Sequence, residues 1–419
     1  MNHTICLMND SFPPQIDGVA NTVVNYARYI EKNHGHALVV TPEYAEAVED
    51  DYPFPVLRYP SLDARWFIGY MAGIPFSPNV TKRLKEEKIE LMHCHCPSAA
   101  LFLARQLRDP LDVPVIMTYH TKYDVDLLKA LKSQYLSREA AGVMVANINA
   151  CDEVWTVSRG AGENLKSLGY EGDIIIMPNG VDIPRGRVSD EEIRAVTGDY
   201  DLPAEVPVFL FVGRMYWYKG HRLILDALEG LKSQGTDFRM VFVGGGADFE
   251  EIKAYAEKLK LGDKVFFTGP VSGRDAIRAW YCRADLFLFP STYDTNGLVV
   301  REAAACSLAS ILVEGSCAAE GVTPDRNGFY MSETASSLAV KLDQLCRNRD
   351  LMRRTGEAAC RELYISWEEA VAGAAKRYEI VIDNYRAGRY PRHSRISDKL
   401  MKANGELMSL LARLPGEEA

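Results

Sequence analysis

The hydrophobic residues of this chain form short continuous runs, and segments with apolar positions at helical spacing lie between them. In the first half the apolar runs are, in order, TICLMND, HALVVTP, IELMHCH, VPVIMTYH, EVWTVS and DIIIMPNGVD. Amphipathic segments such as VANTVVNYARYIEKN and SAALFLARQLRD separate them. Apolar runs of this length that alternate with helical segments indicate parallel strands buried on both faces.

The same rhythm starts again in the second half of the chain. Its apolar runs are VPVFLFVGR, FRMVFVGGG, KVFFTGPV, DLFLFP and SILVEG, and its helical segments include HRLILDALEGLKSQG and DFEEIKAYAEKLKL. The pattern predicts an α/β protein with two doubly wound, Rossmann-like domains. We place the boundary in the charged, turn-rich passage between Pro184 and Ala204. The predicted domains are residues 1–190 and 191–365, with a helical tail, residues 366–419, that packs back on the first domain.

Length, charge and cysteine content narrow the class of protein. The 419 residues suit two or three domains, and a net charge of −9 argues against nucleic-acid binding. No apolar run approaches the roughly 20 residues of a membrane span, and the N-terminus lacks the features of a signal peptide. Nine scattered cysteines suggest free thiols in a reducing compartment. We therefore expect a cytoplasmic protein.

The stretch ADLFLFPSTYDTNGLVVREAAACS, residues 284–307, is typical of a buried strand, a polar loop and a helix. Asp294 and Glu302 have seven residues between them, and the loop ends in Asn296-Gly297. Exposed backbone N–H groups and the positive N-terminus of the helix form an anion site, and the flanking acids can hold hydroxyl groups. A phosphate that carries a sugar on either side suits both features, so the pattern predicts a nucleotide-sugar site.

Two cations follow the strand VPVFLFVGR, which ends at Gly213 and Arg214, with Lys219 shortly after. Ligands of doubly wound sheets bind beyond the carboxyl ends of the strands, so we expect Arg214 and Lys219 near Asp294. There they can neutralise a diphosphate leaving group. Taken alone, the pair is more typical of solvated surface charges. The backbone from Gly269 to Val271 can hold the edge of a nucleobase.

Two residues of the first domain also follow strands. Gly18 directly precedes a helix, so its N–H can approach a ligand phosphate; a plain loop glycine is the alternative. His120 closes the strand VPVIMTYH. We expect it to contact a sugar hydroxyl or the reacting centre, and the alternative is a structural histidine whose hydrogen bonds are satisfied within the core.

A metal site is not expected. The sequence HCHCP contains His93 and His95, but alternation along a strand turns both histidines to one face and Cys94 and Cys96 to the other. No Asp-x-Asp pair stands at the end of a predicted strand, so the two cations are expected to replace a divalent metal. We predict no cofactor.

These motifs together resemble the retaining glycosyltransferases of family 4, which have the GT-B fold of two Rossmann-like domains facing across a cleft. The resemblance covers nearly the whole chain and rests on SFPPQIDGV, PNGVD at residues 178–182, GRMYWYKG, FTGPV and the two acids around the loop. The segments SFPPQIDGV and TYHTKYD, the latter around His120, are most similar to those of bacterial diacylglycerol glucosyltransferases.

The resemblance implies roles for individual residues. It implies that Arg214 and Lys219 bind the donor diphosphate, that Glu302 holds the ribose hydroxyls and that Gly18 approaches the phosphate from the other domain. It implies that Asp294 and the loop backbone hold the sugar and its phosphate. The donor-binding residues expected on this basis are Gly18, Gly213, Val271, Asn296, Gly297, Leu298, Val299 and Glu302, and those expected to act in catalysis are His120, Arg214, Lys219 and Asp294.

The chain departs from the family pattern around the sugar. The first acid is Asp294 where the family usually has Glu, and Thr295-Asn296-Gly297 replaces the usual Phe-Gly. Gly315-Ser316-Cys317 replaces the usual Gly-Gly, and Cys306 to Ala309 replaces a small-Gly-x-Pro turn. These changes leave the identity of the donor sugar open.

The expected reaction is therefore transfer of a hexose from a nucleotide diphosphate sugar, with UDP-glucose or a similar donor favoured, and with retention of configuration. The acceptor is a membrane lipid such as diacylglycerol, or else a soluble glycan or small molecule. The resemblance implies that the leaving diphosphate takes the acceptor proton, so the protein supplies positioning and charge. A sugar-nucleotide epimerase and a non-catalytic sugar-nucleotide-binding subunit remain alternatives.

The tail carries the sequence signal for membrane contact. Between residues 386 and 402 its basic residues are Arg389, Arg392, Arg395 and Lys399. Its apolar residues are Leu400, Met401, Leu407, Met408, Leu411 and Leu414. A basic amphipathic helix can lie on an anionic membrane, at the inner face in this case. The alternative is that the apolar side docks on the first domain.

Overall fold

The computed structural model describes residues 3–15, 17–44, 46, 51–65, 71–390 and 396–411. The chain divides into two compact units, residues 1–179 with 367–419, and residues 180–366. The second unit thus begins before the boundary expected at residue 190. The reason is tertiary, because Val181 forms a β-bridge with Ser366, and Ile183 is buried in the core of the second unit.

The first unit is built on a parallel sheet of seven strands in the order β3-β2-β1-β6-β7-β8-β9. The strands of this unit, including the antiparallel pair β4 and β5, are β1 His3–Met8, β2 Gly35–Pro42, β3 Val56–Tyr59, β4 Ser61–Asp63, β5 Met71–Gly73, β6 Leu91–Cys94, β7 Val115–Tyr119, β8 Glu153–Thr156 and β9 Ile175–Ile176. The helices between them are α1 Gly18–Asn33, α2 Pro78–Glu86, α3 Ala99–Leu111, α4 Tyr123–Leu131, α5 Gln134–Ile148 and α6 Arg159–Ser167.

The second unit has a parallel sheet of six strands in the order β12-β11-β10-β13-β14-β15. Its strands are β10 Val208–Val212, β11 Arg239–Val243, β12 Val265–Gly269, β13 Leu286–Phe289, β14 Ser310–Val313 and β15 Phe329–Met331. Its helices are α7 Asp190–Thr197, α8 His221–Ser233, α9 Phe249–Lys258, α10 Arg274–Arg283, α11 Leu298–Ala305, α12 Ala335–Cys346 and α13 Arg349–Glu362. Strands β10, β13 and β14 are buried along their whole length, as the continuous apolar runs predict.

The last two helices, α14 Trp367–Arg386 and α15 Ile396–Leu411, belong to the first unit. Helix α15 docks on α2 and α3. At one end Asp398 pairs with Arg105 at 2.7 Å, both side chains being buried. At the other end Met408 is fully buried, and its sulfur accepts a hydrogen bond from the backbone N–H of Ser77. Gly405 between them leaves no room for a Cβ against the backbone of Gln106.

No helix among the described residues is long and apolar enough to span a membrane. All nine cysteines are free thiols.

Candidate donor site in the second unit

Two loops meet at the carboxyl edge of the second sheet. Strands β10 and β13 are hydrogen-bonded neighbours, so the segments that follow them leave the sheet side by side. The first contains a 3₁₀ turn, Trp217–Lys219, closed by Gly220 at φ 87°. A Cβ on Gly220 would lie 2.6 Å from the ring of Pro290, which follows β13. Only glycine permits this close approach and this backbone conformation, which brings the loop carrying Lys219 against the loop carrying Asp294.

Lys219 and Asp294 form an ion pair in this arrangement. The Lys219 ammonium donates a hydrogen bond to Oδ1 of Asp294 at 2.5 Å, and the Ser291 hydroxyl donates to Oδ2 at 2.5 Å. The Lys219 side chain is 9% exposed and that of Asp294 is 24% exposed. The rings of Tyr218 and Tyr293 each have their centroid 5.7 Å from the ammonium. A cation held between an acid and two aromatic rings is fixed in place and suited to meet a phosphate.

Helix α11 presents an uncapped N-terminus beside this pair. Gly297 precedes it at φ 58°, and the helix has neither a side-chain cap nor an acid in its first turn. The first bonds back to Gly297 come from the N–H groups of Val300 and Arg301. The N–H groups of Leu298 and Val299 therefore precede the helical ladder, where the helix dipole favours an anion.

Glu302 lies further along α11 and is buried, with 8% of its surface exposed. Its Oε1 accepts a hydrogen bond from Arg274 at 3.0 Å, and its Oε2 accepts one from the Tyr281 hydroxyl at 3.0 Å. The other arm of the Arg274 guanidinium donates to Asp182 at 2.9 Å. Burial raises the pKa of Glu302 above its ordinary value, and the charge of Arg274 opposes this rise. The carboxylate is thus held in a fixed orientation by two hydrogen-bond donors.

Sequence reasoning missed Arg274, Tyr281 and Asp182 as partners of this site. Asp182 lies in the PNGVD motif, and Arg274 opens α10 a few residues after the FTGPV motif. A buried acid such as Glu302 requires a cation nearby to balance its charge. An arginine at the start of the helix that follows the FTGPV motif was the available sequence signal for that cation.

The other residues expected in this unit surround the same edge. Arg214 is exposed, and its guanidinium lies 5.7 Å from the centroid of the Tyr216 ring. Gly213 has φ 153°. Its carbonyl packs so closely on Gly244 that a side chain at position 244 would collide with the Gly213 oxygen. Val271 follows β12 and packs on the hydrophobic core. In the described parts of the chain, Arg214 has no carboxylate within ion-pair distance.

Gly18 and His120 lie in the first unit. Gly18 is the first residue of α1, and a Cβ there would meet nothing within 4 Å. The carboxylate of Asp17 accepts the N–H groups of Val19 and Ala20, both at 2.8 Å. The N-terminus of α1 therefore already binds one carboxylate, and a phosphate would compete with it.

His120 is buried directly after β7 and belongs to a cluster of histidines. Its Nε2 lies 2.9 Å from Nδ1 of His95, and burial lowers the pKa of His120 to about 3. His93 bonds Thr118 and the Tyr378 hydroxyl, each at 2.7 Å. The rings of His93 and His95 lie 4.0 Å apart, on one face of the strand as alternation predicts. His120 is thus a neutral imidazole, and its contact with a sugar stays a prediction.

Two family models match the chain and together span most of it. The model "Glycosyltransferase Family 4" matches residues 16–185, and the model "Glycosyl transferases group 1" matches residues 192–362. The chain belongs to the family 4 glycosyltransferases. The first match lies almost wholly in the first unit and the second match lies within the second unit, so the family resemblance found in the sequence motifs is confirmed.

Known proteins align over most of this chain. It is 24% identical over 391 residues to a GDP-mannose-dependent alpha-mannosyltransferase of Corynebacterium glutamicum, covering 88% of this chain and 89% of that protein. It is 22% identical over 357 residues to an alpha-monoglucosyldiacylglycerol synthase of Streptococcus pneumoniae, covering 84% and 80%. The crystal structure of Anabaena HepE in complex with UDP matches with a TM-score of 0.72 at 17% identity, covering 90% and 100%. This structural likeness confirms the predicted GT-B fold of the glycosyltransferase.

Proposed function

We propose that this protein is a retaining hexosyltransferase that moves a hexose from a UDP-sugar to a membrane lipid of the diacylglycerol type. The nucleotide-sugar donor is supported mainly by the Lys219–Asp294 pair beside the uncapped N-terminus of α11. A fixed cation and free backbone N–H groups suit a diphosphate, and Glu302, further along the same helix, suits a ribose diol. The second unit thus contains groups suited to the diphosphate and to the ribose of a nucleotide sugar.

The proposed reaction breaks the bond between the anomeric carbon and the phosphate oxygen and forms one from that carbon to the acceptor oxygen on the same face. The acceptor proton goes to the leaving diphosphate. Lys219, the exposed guanidinium of Arg214 and the α11 N–H groups stabilise the negative charge that develops on the diphosphate. These side chains already supply positive charge, so we propose that no metal is required. Activity that is lost in EDTA and restored by magnesium would overturn this part.

Uracil is the proposed base because the UDP complex of HepE has the same fold, whereas one relative is named for GDP-mannose. Calorimetric titration with UDP and with GDP separates the two. We expect UDP to bind at least tenfold more tightly. Tighter binding of GDP than of UDP would indicate a GDP-sugar donor, and the fold and the proposed diphosphate site would stand unchanged.

The lipid acceptor is supported by one relative's name and by the outer face of α15. That relative is named as a glucosyldiacylglycerol synthase. On α15, Leu400, Leu407 and Leu411 recur at helical spacing and are 66%, 48% and 36% exposed. Lys399 and Lys402 are exposed beside them. Leucines flanked by lysines suit the surface of an anionic bilayer.

An assay of UDP release, with and without diacylglycerol in mixed micelles, tests the proposal. Release that depends on diacylglycerol supports it. Release that depends on a soluble glycan would favour a soluble acceptor. Interconversion of the sugar nucleotide would indicate an epimerase, and tight UDP binding without turnover on any acceptor would indicate a non-catalytic subunit.

A further inference from the structure

Asn296, in the loop between Asp294 and helix α11, has a buried side chain without a partner. The residue is 7% exposed. Neither the Nδ2 nor the Oδ1 atom of its carboxamide has a hydrogen-bond partner within the described residues. Buried amide groups in folded proteins are nearly always hydrogen-bonded, because desolvation without a partner is costly. An amide in this state, placed at the N-terminus of a helix that already suits an anion, indicates a ligand that completes its bonds.

Ser316 repeats the observation on the neighbouring turn. It is 9% exposed, and its hydroxyl is also buried, with no hydrogen-bond partner in the part of the chain that the structure describes. Ser316 opens the turn Cys317–Ala319 after β14. That turn contacts the Asn296 loop directly, since a Cβ on Gly297 would lie 2.8 Å from the Cβ of Ala318. Two unsatisfied polar side chains therefore flank one tight contact between backbones.

We propose that the Asn296 carboxamide and the Ser316 hydroxyl bind ring hydroxyls of the donor hexose and select a neutral sugar with free hydroxyls. This inference rests on the proposed function and names the sugar class of the same site. Each group offers both a hydrogen-bond donor and an acceptor, as does a sugar hydroxyl. Neither group carries a charge, so the two groups suit neutral ring hydroxyls better than a carboxylate on the sugar.

If Asn296 and Ser316 bind ring hydroxyls, the protein should show a particular pattern of donor selectivity. A site whose polar groups are satisfied only by a substrate hydroxyl rejects analogues that lack it far more strongly than an apolar pocket would. Wild-type protein should therefore bind UDP-glucose more tightly than a deoxy analogue that lacks the contacted hydroxyl. The positions of the ring are distinguished by testing the 3-, 4- and 6-deoxy forms in turn.

The test compares wild type with Asn296→Leu and Ser316→Ala in calorimetric titrations with UDP, UDP-glucose and the deoxy analogues. Both variants should bind UDP alone within twofold of wild type. Asn296→Leu should bind UDP-glucose at least tenfold more weakly than wild type and should no longer distinguish it from one deoxy analogue. The thermal midpoint of Asn296→Leu should be unchanged or raised, because an unpaired buried amide is replaced by an apolar group of similar volume.

Three results would overturn the inference. The first is wild-type affinity of both variants for UDP-glucose. The second is a lowered thermal midpoint of Asn296→Leu, which would indicate a structural role. The third is equal loss of UDP and UDP-glucose binding, which would indicate damage to the whole loop. GDP and GDP-mannose are titrated in parallel. If wild-type protein prefers GDP, the proposed base is wrong, and the variants are then compared with the GDP-sugar.

Discussion

The Nζ atom of Lys219 lies 2.5 Å from Oδ1 of Asp294, although the two residues are 75 positions apart in the chain. The cation expected to meet the donor diphosphate is therefore neutralised and positioned before the donor arrives. Asp294 is itself held on its other oxygen by Ser291. In this pair Lys219 is expected to meet the phosphate and Asp294 holds Lys219 in place. Substitutions of the two residues should therefore have different effects on binding and turnover.

Replacing Lys219 with methionine should lower kcat by about 10²- to 10³-fold, the usual cost of removing one stabilising group from a developing charge. The measurement is initial rate against donor concentration. Lys341→Met is the matched control, since it removes a more exposed Lys–Asp pair, with a separation of 3.7 Å to Asp325. Wild-type kcat in Lys219→Met would remove this residue from the site.

Asp294→Asn should separate binding from turnover. The amide leaves the Lys219 charge unneutralised, so the affinity for UDP should stay equal or rise. The rate should nevertheless fall, because the ammonium is no longer fixed and the sugar loses a carboxylate contact. Calorimetry with UDP and steady-state kinetics give the two quantities. A variant that loses UDP affinity and keeps kcat would contradict this assignment.

Glu302 should make nucleotide binding dependent on pH. In the proposed site its ionised form accepts the ribose hydroxyls, and burial raises the pKa of Glu302. As the pH falls, the carboxylate is therefore protonated at a higher pH than an exposed glutamate would be, and UDP affinity should decrease in that range. Arg274 and Tyr281 donate hydrogen bonds to Glu302 and oppose the rise in its pKa. Asp182, which is bonded to Arg274, reinforces the rise through its negative charge.

The matched experiment uses Glu302→Gln, which should bind UDP more weakly at neutral pH and show a flat profile towards acid. Glu362→Gln serves as the control, because Glu362 is bonded to Arg326 and Asn327 elsewhere in the same unit. If the wild type and Glu302→Gln show the same acid profile, another group causes the loss of binding.

Membrane contact should depend on the outer face of α15. The double variant Leu400→Ser, Leu407→Ser should reduce co-sedimentation with vesicles containing phosphatidylglycerol, with little effect on folding because both side chains are about half exposed or more. Val340→Ser, a 52% exposed position on α12 of the second unit, is the control. Wild-type protein that stays in the supernatant at low and physiological salt would contradict the membrane assignment.

The sequence predicted the strands that lie in apolar runs, including the edge strand β12, and missed β3 and β15. Strands β1, β2, β10 and β13 are continuous apolar runs, and such runs are readily recognised. Strand β3 reads VLRY and is largely half-buried, and β15 has three residues, so neither shows a run. Of DIIIMPNGVD only Ile175–Ile176 is a strand, because Pro178 cannot continue the hydrogen-bonded ladder.

Residues of the candidate site that lie within one sequence motif could be named from the sequence. Partners that only the fold brings to them could not. The motif sequences gave Lys219, Asp294 and Glu302. The bonds from Arg274 and Tyr281 to Glu302 come from helix packing, which no local spacing encodes. Similarly, α15 is apolar on two sides, so its pattern could not distinguish the docked Met408 from the exposed Leu407. Arg392, Arg395 and Leu414, also expected to meet a membrane, lie outside the described residues.

The most direct test of the account is mass spectrometry of the lipid products after the protein is incubated with UDP-glucose and diacylglycerol, followed by NMR of the anomeric proton. We predict a monohexosyl diacylglycerol with the α configuration of the donor, formed together with UDP. A product with inverted configuration, or no glycolipid under conditions in which the protein binds UDP-glucose and releases UDP onto a soluble acceptor, would contradict it.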